Sequence, residues 1–260
     1  MGFEAATIEF LLWSRDAGLR FDRVLTIGRQ GLHVTQAELR TILEAHGLDP
    51  SRAQPILAGD RGFAEPLLTY IGAGSVDSLD VSDYEGATIL HDMNRPLPDS
   101  YHNRFSMVID GGSIEHVFEY TTALRNCMEA VEVGGHFITI TPANNLLGHG
   151  FYQISPELFY RALTPENGFE IVRLVLFENP WKRVWYEVAD PEQVRSRVEL
   201  AGGREACLIV CAKRTSIQPI FAKPPQQSDY SMLWQASGGK TLAVSDTRPR
   251  PPALFWKRFF

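Results

Sequence analysis

The sequence contains little cysteine, and what it has is irregularly placed. Three cysteines occur among 260 residues, at Cys127, Cys207 and Cys211. They are too few and too oddly spaced to form a disulfide framework or a four-ligand zinc site. Free thiols of this kind are typical of a reducing compartment, so we expect a cytoplasmic protein.

The sequence also lacks an excess of positive charge and a long apolar run. Its formal net charge is -6, whereas proteins with large nucleic-acid footprints cluster Lys and Arg to displace counterions from phosphates. No apolar stretch reaches the roughly 20 residues that a spanning helix requires. Residues 8–13 are apolar, but Glu9 interrupts them and no basic flank precedes them, so they do not match a signal peptide. We therefore expect a small-molecule substrate, no nucleic-acid partner and no membrane span.

What the sequence does contain is the balance of a globular domain, with 44% hydrophobic and 22% charged residues. Short buried runs alternate with helix-length segments, which predicts parallel strands joined by crossover helices. The predicted strands cover residues 24–27, 75–80, 87–90, 105–109, 136–141, 169–177 and 206–212.

Helix signals lie between these strands. Thr35 and Glu38 have the spacing of a capping box, which predicts a helix from about residue 35 to residue 45. Ser155 followed by Pro156 provides an N-cap and a favoured first position for a later helix.

The remaining segments set the domain boundaries. We assign residues 1–214 to one domain and residues 215–260 to a C-terminal extension. Within the domain, the Pro- and Gly-containing residues 48–63 predict an irregular surface insertion, and residues 178–204 predict a cap insertion. The basic and aromatic residues 249–260 are expected to pack on the domain or on a sister subunit. In the second case, the extension would join copies of the chain in a homo-oligomer.

Ligands of open parallel sheets bind beyond the carboxyl ends of the strands, so the residues that follow each strand are the candidate ligand contacts. Glycines there let the backbone approach a ligand, and carboxylates accept hydrogen bonds from it. Each residue also has a purely structural alternative, as a turn or a cap. The candidates are Gly28, Arg29, Gln30 and Gly31 after the first strand, Asp80 after the second, Asp92 and Met93 after the third, and Asp110 and Gly111 after the fourth.

The ordered series of strand-end motifs resembles the successive motifs of class I S-adenosylmethionine (SAM)-dependent methyltransferases. The resemblance spans residues 20–213. It implies an α/β, Rossmann-like sheet of seven strands with a C-terminal antiparallel hairpin, helices on both faces, and SAM as the cofactor. The motifs that carry it are VLTIG at 24–28, LDVS at 79–82, HD at 91–92 before PLP at 96–98, EHV at 115–117 and VGGHF at 133–137.

The resemblance also implies roles for the strand-end residues. Gly28 and Gly31 would approach the methionine end of SAM, where the side chains of Arg29 and Gln30 could donate to its carboxylate. Asp80 would bind the ribose. The adenine would lie against Asp92 and Met93, and the reacting methyl group would lie near Asp110 and Gly111.

Transfer of a methyl group to a hydroxyl requires a base, and a base with a pKa near neutrality suits that task. His116 and His149 are the candidates, and Glu115 could orient His116 or contact the substrate. The alternative for either histidine is a hydrogen-bonded packing role. Asp110, Glu115 and a histidine could also ligate a divalent cation, but no spacing requires one, so we predict no metal.

The sequence therefore predicts SAM-dependent methyl transfer to a small polar metabolite, with an oxygen acceptor such as a sugar hydroxyl. A catalytically silent methyltransferase-like scaffold is the alternative, because Thr26 replaces the acidic residue and Gln30 the second glycine that are usual in the first motif of the family. A nucleotide-dependent oxidoreductase ranks last, because the full Gly-x-Gly-x-x-Gly fingerprint is missing.

Overall fold

The computed structural model of the chain describes residues 2–179, 182–200, 202–236 and 258–259. Short 3-10 turns connect several of its elements. The helices are α1 (Ala5–Asp16), α2 (Gln36–Ala45), α3 (Ala53–Ala58), α4 (Glu65–Tyr70), α5 (Tyr120–Ala130), α6 (Pro156–Ala162), α7 (Pro191–Val194) and α8 (Ser228–Ala236). The strands are β1 (Gly2–Phe3), β2 (Arg23–Ile27), β3 (Gly31–Leu32), β4 (Ser75–Asp80), β5 (Ile89–Leu90), β6 (Phe105–Gly111), β7 (Val131–Asn144), β8 (Phe169–Asn179), β9 (Trp185–Glu187), β10 (Glu205–Arg214) and β11 (Arg258–Phe259).

The main sheet has nine strands in the order β11-β9-β8-β10-β7-β6-β2-β4-β5. From β5 to β7 all neighbours are parallel. β10 then runs antiparallel to both β7 and β8. The chain begins this sheet at β2, moves outward to β5, and returns to β6 on the other side of β2. The strand order therefore reverses between β2 and β6, which is where ligands bind in open α/β sheets.

Helices cover both faces of the sheet because the strands are apolar on both sides. One core contains the buried side chains of α1 to α4 packed against the sheet, with Phe10 and Leu39 among them. The other contains those of α5 and α6, with Leu124 and Phe159 among them. β6 is buried along its whole length, as expected of a central parallel strand.

The predicted fold class is confirmed. The seven predicted strands are present in one Rossmann-like sheet, with the C-terminal antiparallel pair β8 and β10. The predicted capping box also forms, since the Thr35 hydroxyl accepts from the Glu38 amide and the Glu38 carboxylate accepts from the Thr35 amide. β9 and β11 extend the sheet beyond β8 and were not predicted.

Other elements differ from the sequence-based expectation. Residues 48–63, expected to be irregular and superficial, contain α3, whose Ala53 and Ile56 are buried in the core. The expectation of irregular structure was wrong because Pro50 begins the 3-10 turn that leads into α3, and proline is compatible with a first helical position. At the N-terminus, β1 pairs with β3 in a separate two-stranded sheet, which the sequence did not indicate.

The described part of the C-terminal extension packs on the domain. The Ser228 amide donates to Glu157 Oε1 of α6 at 2.6 Å, and Arg197 forms an ion pair with Asp229. The tail of residues 249–260 lies outside the described residues, apart from the backbone of β11. Among the described helices, none combines the length and apolar character needed to cross a membrane.

Candidate functional site

A cavity of about 980 Å³ lies at the carboxyl ends of β2, β4, β5 and β6, at the reversal of strand order. Residues from all four strand ends line it. The predicted site residues among its lining are Gly28, Asp80, Asp92, Met93, Gly111, Glu115, His116 and His149.

The first glycine loop meets the cavity only through Gly28. Its φ of 70° is in the left-handed region, where glycine is favoured over other residues. Arg29 turns away from the cavity. Its guanidinium pairs with Asp60 and Glu65 and lies 4.1 Å from the centre of the Phe63 ring. The structure therefore places the Arg29 side chain in an ion-pair cluster outside the cavity lining.

Gln30 and Gly31 are also absent from the lining described for this cavity. The Gln30 side chain is buried beneath it, where Nε2 donates to the Ile27 carbonyl and to Ser113 Oγ at 3.2 Å. Gly31 pairs with Gly2 in the small sheet. Gln30 thus fills the space beside Gly111, because a Cβ at Gly111 would lie 2.5 Å from Gln30 Oε1.

Two carboxylates and one thioether line the part of the cavity beside β4 and β5. Asp80 ends β4, and its Oδ1 accepts from the Ser82 amide at 3.2 Å. Asp92 Oδ1 accepts from the amide and side chain of Asn94, and these bonds lower the pKa of Asp92. Met93 is nearly buried and supplies the apolar wall. These residues come together as the sequence predicted, while their binding role stays a prediction.

Asp110 lies below the cavity and is fully buried. Its Oδ2 accepts from Thr139 Oγ1 at 2.7 Å, and its Oδ1 accepts from the Ser113 amide at 2.8 Å. Asp110 therefore holds the turn after β6, with Gly112 at a φ of 87°. The predicted place of Asp110 beside the reacting methyl group is not supported by this geometry, because the side chain points into the turn.

Glu115, His116 and His149 meet on the far side of this turn. His149 Nε2 lies 3.4 Å from Glu115 Oε1, and the His116 and His149 ring centres are 4.9 Å apart. The loop that carries His149 is fixed to Glu115, because the Phe151 amide donates to the Glu115 carbonyl at 2.9 Å. The fold thus brings all three predicted catalytic residues together.

Burial is the main cause of the pKa shifts in and beside this cluster. Burial raises the pKa of Glu115, and the nearby charge of Asp110 raises it further. Burial also raises the pKa of Asp110, although hydrogen bonds from Thr139 and Ser113 oppose the rise. For His116, burial and then the charge of His149 lower the pKa. The neutral imidazole of His116 is therefore favoured, which suits a proton acceptor or a metal ligand.

A metal site was not expected, since no ligand spacing in the sequence requires one. Among the described residues, however, Glu115, His116 and His149 each offer a ligand atom within 4.8 Å of the others. The sequence indicated Glu115 and a histidine as possible ligands but could not join His149 to them, because His149 lies on a loop after β7. The parallel pairing of β6 and β7 brings that loop to the turn after β6.

Other lining residues come from the N-terminal segment and from β8 and β10, and the sequence did not indicate them. Glu4 and Thr7 line the cavity because β1 lies beside β3, and Phe177 and Cys207 come from β8 and β10. A two-residue strand has no detectable period. The only available signal for the second pair was their position near the predicted ends of the antiparallel strands.

The chain is similar to solved structures at low sequence identity. No protein-family model and no curated protein matches the sequence. A structure assigned as a sarcosine dimethylglycine methyltransferase from Galdieria sulphuraria is 13% identical, with a TM-score of 0.46 over 83% of this chain and 86% of that chain. One assigned as a SAM-dependent methyltransferase from Listeria monocytogenes is 12% identical, with a TM-score of 0.45 over 82% of this chain and 100% of that chain.

A third similar structure is a 16S rRNA (adenine(1408)-N(1))-methyltransferase from Catenulisporales acidiphilia, which is 12% identical with a TM-score of 0.40 over 81% of this chain and 94% of that chain. The fold class of the present chain follows from the order and pairing of its own strands.

Proposed function

We propose that the protein transfers the methyl group of SAM to an oxygen of a small polar metabolite, such as a sugar hydroxyl. The observation that carries this proposal is the convergence of the strand-end residues Gly28, Asp80, Met93 and Gly111 on one cavity that also contains the Glu115 cluster. The sequence series and the cavity lining therefore agree on a single site at the reversal of strand order.

The lining fits SAM in size and charge. The carboxylates of Glu4, Asp80 and Asp92 line the cavity, and negative groups favour a ligand that carries a sulfonium and an ammonium charge. Asp80 would accept from the ribose hydroxyls, and Asp92 with Met93 would hold the adenine. When bound, SAM supplies an electrophilic methyl group.

Glu115, His116 and His149 would face the acceptor. The two histidines are exposed at the cavity, whereas Glu115 is buried beneath them. A hydroxyl placed against this cluster would lose its proton more readily than in water, because polar groups that stabilise the departing proton are already oriented. A cavity of about 980 Å³ lies within the size range of small-molecule and cofactor sites, which supports a metabolite as acceptor.

A methyl-labelling screen tests this function. Purified protein is incubated with methyl-labelled SAM and fractions of polar metabolites, and the labelled product is identified by mass. We expect label in an O-methylated product. The absence of label from every fraction, with SAM bound, would instead support the silent scaffold, whose motivating observation is the buried Gln30 beneath the glycine loop.

A further inference from the structure

The cluster of Glu115, His116 and His149 has the spacing of a metal site. One ligand atom from each residue lies within 4.8 Å of the other two. A cation about 2.0–2.2 Å from each ligand holds ligand atoms roughly 3–4.4 Å apart. Side-chain rotations that shorten these distances would therefore bring the three ligands onto one cation.

The carboxylate of Glu115 provides an independent indication. Its side chain is fully buried, it borders the cavity, and neither of its oxygens has a hydrogen-bond partner among the described residues. The nearest ionisable nitrogen, His149 Nε2, is 3.4 Å away. A buried carboxylate without a donor is costly, and a cation would satisfy it.

The loop geometry keeps the ligands in place. Gly150 has a φ of 70°, and a Cβ there would lie 2.9 Å from the Glu115 carbonyl oxygen. The Leu146 carbonyl also accepts from the His149 amide at 2.9 Å. His149 is therefore held over Glu115 by backbone contacts, as preorganised ligands are.

We infer that Glu115, His116 and His149 bind a divalent transition-metal cation. One carboxylate oxygen and two imidazole nitrogens suit Zn²⁺, Co²⁺, Mn²⁺ or Fe²⁺, whereas Mg²⁺ and Ca²⁺ prefer oxygen ligands alone. Three protein ligands leave coordination positions open toward the cavity. Those positions would take oxygens of a hydroxyl-bearing ligand.

The catalytic consequence rests on the proposed function. A hydroxyl bound to the cation has a lowered pKa, so its proton leaves to water. The alkoxide oxygen then forms a bond to the methyl carbon as the carbon–sulfur bond breaks, and the electron pair of that bond stays on sulfur. The imidazoles hold the cation in this arrangement and do not themselves take the proton.

Cation binding is tested on chelator-treated full-length protein without SAM. Zn²⁺ is titrated by calorimetry and Co²⁺ by visible absorption, with Mg²⁺ as a competitor. The variants are Glu115→Gln and His149→Asn, and thermal melting verifies that each folds. The matched control is His102→Asn, because His102 Nε2 faces Glu129 Oε2 at 3.5 Å outside the cavity.

We expect one cation per chain, no competition by Mg²⁺, and affinity losses above about 100-fold in both cluster variants, which exceeds the loss typical of an outer-sphere partner. The control should keep the affinity of the original protein. Lack of Zn²⁺ and Co²⁺ binding, or equal binding by the cluster variants, would overturn the inference. Because SAM is absent from these titrations, a failure of SAM binding refutes the proposed function and leaves this site standing.

Discussion

The Nε atom of Arg29 donates to Glu65 Oε1 at 2.6 Å. Arg29 also pairs with Asp60 and donates to the Glu85 carbonyl at 2.9 Å. Arg29, which the sequence predicted as a SAM contact, thus connects the glycine loop to α4 and to the loop after β4. The hydrogen bonds of its guanidinium therefore stabilise the fold and do not point into the cavity.

Replacement of Arg29 by Met should lower stability without changing SAM affinity. The loss of hydrogen bonds to charged groups is expected to cost about 1.5–3 kcal/mol. Denaturant unfolding measures this loss of stability. The dissociation constant for SAM should change by less than about twofold. Arg197→Met is the control, since its exposed ion pair with Asp229 contributes little. A large loss of SAM affinity in Arg29→Met would show that the guanidinium reaches the cofactor.

Asp80→Ala should weaken SAM binding while the fold persists. A hydrogen bond to a charged group is worth about 1.5–3 kcal/mol, which corresponds to a loss of roughly 10- to 150-fold in affinity. Calorimetry measures the loss. Asp83→Ala is the matched control, because Asp83 is exposed on the same loop and is not part of the cavity lining. Equal affinities for the two variants would exclude Asp80 from the binding site.

Gly111→Ala should destabilise the floor of the cavity. The added Cβ would lie 2.5 Å from Gln30 Oε1 and 2.9 Å from the Phe3 ring, and such overpacking typically costs about 1–3 kcal/mol. A Gln30→Ala background should recover part of this loss in unfolding experiments. Gly148→Ala is the control, since nothing lies within 4 Å of its added Cβ. Additive effects of Gly111→Ala and Gln30→Ala would contradict the predicted contact.

His136 should make stability fall in mildly acidic solution. Burial, followed by the charges of Lys213 and Arg20, lowers the pKa of His136 to about 4. The unfolded chain, with an ordinary histidine pKa of about 6.5, therefore binds more protons between these values. Stability is thus retained above about pH 6.5 and lost as the pH falls toward 4.

The difference in the free energy of unfolding between the original chain and His136→Gln separates the effect of His136 from the titration of carboxylates. We expect Gln to remove about 1–3 kcal/mol of the pH-dependent loss between pH 6.5 and pH 4. Chemical denaturation at several pH values measures it. Parallel stability curves for the two proteins would rule out His136 as a source of acid sensitivity.

The positions of the strand ends could be predicted from the sequence, because β2 and β6 are short, mostly buried runs that end just before Gly28 and at Gly111. Parallel pairing then places those ends at one edge of the sheet. Asp80 and Met93 follow strands of the same kind, so their approach to one cavity was also predictable.

Side-chain directions could not be predicted in the same way. Arg29 is turned outward by Asp60 and Glu65, and Gln30 is turned inward toward Ser113, and all of these partners are distant in sequence. The contact between Glu115 and His149 likewise depends on the pairing of β6 with β7. Sequence spacing therefore gave candidate residues, while tertiary contacts decided which of them reach the cavity.

Calorimetric titration with SAM and S-adenosylhomocysteine measures whether the cavity at the strand ends binds the cofactor. The lining predicts that each ligand binds with a stoichiometry of one per chain, and that Asp80→Ala weakens both. A folded chain that binds neither ligand would contradict the assignment of this cavity as a SAM site.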